Sequence, residues 1–91
     1  MKGYHNNLAI KILENKNFRE VIYTSRNIQL VAMSLEPGEE IGKEIHPLID
    51  QFFSIEKGNG ICSIDGGVHL IKSGDALIIP AGTLHNIINN S

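Results

Sequence analysis

Short apolar runs rich in Ile, Val and Phe recur every eight to twelve residues along the chain, separated by Gly, Asn, Asp or Pro. That rhythm belongs to an all-β sandwich or barrel. It predicts strands over 18–24, 28–35, 41–46, 51–56, 60–65, 68–72, 76–79 and 84–88. Turn chemistry fills the gaps. Glu36-Pro37-Gly38 sets Pro before Gly, as a type II turn prefers. Asp65-Gly66-Gly67 suits a tight hairpin between 60–65 and 68–72. Residues 8–16 (LAIKILENK) fit a short helix or a leading strand, and the Ile10/Ile12 alternation favours the strand. Phe52, Phe53, Ile55, Ile64, Leu77 and Ile79 are the core or barrel-lining candidates.

Length and composition narrow the picture. Ninety-one residues allow one small domain, 1–91, and 42% hydrophobic residues is ordinary for a folded chain. No apolar run approaches 18 residues, so no membrane helix is expected. The N-terminal stretch is polar and broken by charge, unlike a secretory signal, and Cys62 is the one cysteine; a cytoplasmic protein without disulfides is expected. A net charge of -2 and five aromatics give no electrostatic or stacking case for nucleic acid.

The candidate chemistry lies between Gly38 and Asn89. Alternation along 41–46 puts Glu44 and His46 on one face and Lys43 and Ile45 on the other. Gln51 opens the next strand and can project beside that pair. His85 follows the sharp Pro80-Ala81-Gly82 turn, and a closed barrel brings it opposite the others. Imidazole, carboxylate and amide oxygen form a mixed N/O set suited to a divalent first-row metal. The set carries one negative charge, and four protein ligands leave one or two positions for water or substrate. Each residue also has a plainer use. Either histidine alone is an ordinary buried histidine, and Gln51 can hydrogen-bond Glu44. His5 and His69 lack companions and read as surface residues. Cys62 reads as inert packing, and the glycines, Gly67 among them, as turn residues.

These two glycine-framed segments resemble the paired motifs of the cupin superfamily. The family's first motif runs glycine, five residues, His-x-His, three or four residues, glutamate, six residues, glycine. Here it reads Gly38, Glu44-Ile45-His46, Gln51 and Gly58 at those spacings. The second motif is filled at every fixed place by Gly74, Pro80, Gly82, His85 and Asn89, fifteen residues beyond the first. The resemblance implies a small jelly-roll β-barrel of the RmlC-like kind with its metal inside. By direct match it carries a metal role only to His46 and His85. Glu44 stands where the family has histidine, and Gln51 where it has glutamate, so one negative charge is kept at a changed position.

Three readings follow. In one, Glu44, His46, Gln51 and His85 hold one divalent ion (Zn, Mn, Fe or Ni) beside a small organic ligand. Family precedent there includes oxygenase, isomerase and epimerase-like steps, and no residue selects among them. In the second, the barrel is a non-catalytic module that binds or senses a sugar or small metabolite without metal. In the third, the barrel has lost its site and serves as an assembly piece. Cupin barrels usually continue with a further strand after the second motif, so C-terminal strands are expected to be missing and an edge left unpaired. The resemblance also implies a homodimer.

Overall fold

The N-terminal helix is where local sequence and strand periodicity disagree. The computed structural model describes residues 3–91, and there Leu8–Glu14 is α1, a helix rather than the expected strand. Asn7 caps it: its side-chain oxygen accepts the Ile10 N–H at 3.0 Å, satisfying a donor that the first turn leaves free. That cap, with helix-forming Leu, Ala and Lys behind it, outweighs an alternation only two isoleucines long. Next come β1 (Arg19–Thr24) and β2 (Gln29–Met33), an antiparallel pair with an irregularity between Val21 and Tyr23. Residues up to Ser34 form one compact unit and Leu35–Ser91 another.

The second unit holds the site. Its strands are β3 (Gln51–Ser54), β4 (Asn59–Ile64), β5 (Gly67–Lys72), β6 (Ala76–Ile79) and β7 (His85–Ile88). They make two sheets, β3-β6 and β5-β4-β7. All pairings are antiparallel. The β4-β5 hairpin closes through Asp65 (φ 47°) and Gly66 (φ 84°), the two left-handed positions of a type I′ turn. Pro37-Gly38 turns as expected: Gly38 has φ 87° and Glu39 N–H donates to Glu36 O. The fold is thus all-β in class, with one short helix.

Side chains of both sheets meet in one cluster. Cys62, Ile71, Leu77 and Ile87 are buried, with Ile41, Phe53, Ile55 and Ile64 packed against them. Phe53 pairs with Leu77, and Gln51 with Ile79, so Gln51 and Phe53 share the inner face of β3. Phe52 is then on the outer face beside Ile78 and is 65% exposed, not part of the core. Consecutive strand residues cannot both face inward, and Phe53 has the inner place. Gly60 is a close-approach glycine: a Cβ there would meet Ile88 O at 2.5 Å.

The predicted strand 41–46 is not one. It touches β7 only through isolated bridges, Glu40 with Ile88 and Glu44 with His85. Between them the register slips by one residue at Gly42, whose φ of 98° takes it out of strand conformation. This segment and β4 cover the two edges of β7.

Candidate metal centre

His85 opens β7, and its backbone is fully engaged. Its N–H donates to Glu44 O at 3.0 Å and its O accepts the Glu44 N–H at 2.9 Å. Residues that exchange both bonds stand side by side with their side chains on one face. Glu44 and His85 are therefore direct neighbours, not partners across a barrel. His46 is held from the other motif too, its O accepting the Gly82 N–H at 2.8 Å. Asp50 Oδ1 accepts the Ala81 N–H at 2.8 Å. The Pro80-Ala81-Gly82 turn thus grips the first motif at two points, which is how segments distant in sequence converge.

The register slip decides which way Glu44 points. Ile41 N–H donates to Ile87 O, and both residues belong to the core. Strict alternation from Ile41 would send Glu44 outward with Gly42. One extra residue at a bulge resets the parity, so Glu44 and His46 turn inward while Lys43 and Ile45 stay exposed. Asn86 clamps the bulge. Only 5% exposed, it accepts the Gly42 N–H at 2.9 Å and donates from Nδ2 to Glu40 Oε1 at 3.2 Å. The sequence reading missed Asn86. Its signal was an Asn between His85 and Ile87 within a predicted strand.

The ligand-capable atoms of Glu44, His46 and His85 all lie within 4.8 Å of one another. The His46 Nε2 and Glu44 Oε2 atoms are 3.6 Å apart. The two imidazoles are tilted, with ring centres 5.9 Å apart, and Phe53 flanks His85 at 6.2 Å. His85 is 1% exposed. Its Nδ1 lies 3.0 Å from Thr83 O, a carbonyl that can only accept. In the neutral ring the proton is therefore on Nδ1, which leaves Nε2 as the ligand-capable nitrogen.

Among the described residues, three buried side-chain polar atoms have no hydrogen-bond partner: His46 Nε2, His85 Nε2 and Gln51 Oε1. All three belong to the four residues that the motif spacing singles out. Each unsatisfied buried group costs on the order of 1–3 kcal/mol. The two imidazole nitrogens and the Glu44 carboxylate oxygen, clustered as they are, fit a divalent cation, which would satisfy both nitrogens. Cys62 stays outside this chemistry, since burial pushes its thiol up and keeps it protonated. No helix among the described residues is long and apolar enough to cross a membrane.

Comparison with known proteins places these features. Residues 31–91 match the cupin domain family. The chain is 43% identical over 82 residues to protein YrkC of Bacillus subtilis (strain 168), covering 84% of this chain and 44% of that protein. It is 46% identical over 88 residues to protein L612 of Acanthamoeba polyphaga mimivirus, covering 93% and 55%. The chain thus spans about half the length of these relatives. The crystal structure of BH2720 from Bacillus halodurans superposes with a TM-score of 0.96 at 32% identity, over 99% of this chain and 73% of that one.

Proposed function

The chain belongs to the cupin domain family, and from that premise we propose that it binds one divalent metal ion through Glu44, His46 and His85, with the Gln51 amide oxygen as a fourth donor. The observation that carries this is the cluster of Glu44, His46 and His85, in which both imidazole Nε2 atoms are buried and unpartnered. When bound, the ion would act as a Lewis acid toward an oxygen of a small organic ligand. The protein's own part is to orient the donors: Thr83 fixes the His85 tautomer, and the Glu44–His85 bridge aligns carboxylate and imidazole. Two histidines and one carboxylate with open positions are the donor set of non-haem Fe(II) oxygenases, which makes Fe(II) the first ion to test.

Elemental analysis after loading metal-free protein with Fe(II), Mn(II), Ni(II) or Zn(II) is the test. One ion per chain is expected in the wild type, and loss of it in both His46→Ala and His85→Ala. A wild-type protein that takes up no ion under any loading ends this reading. The sugar- or metabolite-binding module without metal then stands in its place.

A further inference from the structure

The inner face of the β5-β4-β7 sheet continues beyond the metal ligands. Its register lines up His69 with Cys62 and Ile87 in one row, and Gly67 with Ile64 and His85 in the next. Cys62, Ile87 and His85 are buried on this face. His69 therefore belongs to it, at its exposed margin, and is the surface residue the sequence suggests. Its ring leans into the neighbouring row: a Cβ on Gly67 would lie 3.6 Å from His69 Nε2. Among the described residues His69 makes no hydrogen bond or ion pair. Nor is Gly67 needed for the turn, because the left-handed positions of that hairpin are Asp65 and Gly66. What Gly67 supplies is bare backbone beside His69, at the start of the row that ends at His85.

We infer that His69 is the outer anchor of the ligand site, with Gly67 as the open floor between it and the metal ligands; this rests on the metal reading above. Two strand spacings, about 10 Å, separate Gly67 from His85 in the row. Those two spacings set the scale of a ligand that meets the ion at one end and the His69 N–H at the other. The ligand class is a short organic acid carrying oxygen groups at both ends. One end meets the ion, the aliphatic middle passes over Ile64, and the anionic far end accepts from the His69 imidazole.

The test compares succinate with acetate by calorimetry on metal-loaded wild type and His69→Ala, with metal content measured on the same samples. Succinate is expected to bind the wild type more tightly than acetate. In His69→Ala succinate affinity falls about tenfold, the loss of one charge-assisted hydrogen bond, while acetate affinity is unchanged. No succinate preference in the loaded wild type overturns the proposal. So does unchanged succinate affinity in His69→Ala, or an equal loss for both acids; any of these leaves the metal site standing. A wild type that cannot be loaded at all defeats both.

Discussion

The two segments that supply the candidate ligands are held in different ways. β7 is a regular strand with both edges hydrogen-bonded, and three of its four residues are buried. The segment from Gly38 to His46 has no run of strand, touches β7 at two bridges, and exposes most of its side chains. His85 is therefore placed by the sheet itself. Glu44 and His46 are placed by clamps: Asn86 on the bulge and Gly82 on the His46 carbonyl. The difference teaches that one half of the site is built into the fold's regular hydrogen bonding and the other is fastened onto it.

Cutting the clamp is the strongest way to separate the two halves. Asn86→Ala strands the Gly42 N–H and is expected to cost about 1–3 kcal/mol of stability. Metal affinity should also drop, because Glu44 loses its inward set while His85 keeps its own. Urea unfolding and metal titration measure the two effects. A variant as stable as the wild type, with unaltered metal binding, would show that the bulge holds without Asn86.

A smaller effect of opposite sign is expected at Gln51. Its amide oxygen is buried without a partner, so Gln51→Leu should stabilise the metal-free protein by about 1 kcal/mol. The same change should weaken metal binding, since one donor is gone. Loss of stability in the metal-free variant would mean that Gln51 has a partner in the absence of the ion.

The smallest effect concerns Cys62, at the centre of the regular sheet. Burial raises its thiol above the ordinary 9.0. Above pH 9 the unfolded chain gives up a proton that the folded chain keeps, so stability falls as pH rises through that window. Unfolding midpoints compared at pH 8 and pH 10 should show a shallower fall in Cys62→Ala. Equal slopes would place the thiol in contact with solvent.

Much of this was legible along the chain. β6 lies where the apolar pattern put it, the other observed strands differ from their predicted ranges at the ends, and the predicted strand 41–46 does not form. The spacing from Gly38 to Asn89 singled out the residues that converge. Asn89 itself proves structural, its side chain donating to Leu35 O at 2.8 Å. What failed was local evidence facing a competing local signal. At Ile10 and Ile12 an alternation lost to the Asn7 cap, and at Phe52 and Phe53 two adjacent aromatics had only one inner place.

By itself the sequence determined the strand rhythm, the turn at Pro37-Gly38, the hairpin at Asp65-Gly66 and the four polar residues set apart by the motifs. These are properties of neighbouring residues, and a period of two or a glycine at a turn acts over a few bonds. Tertiary structure alone decided that Glu44 stands beside His85, and that an extra residue at Gly42 turns Glu44 and His46 inward. It also decided that His69 shares their face. Those outcomes depend on register between strands far apart in the chain. A shift of one residue reverses every side chain, and only the hydrogen bonds of the folded sheet select the register.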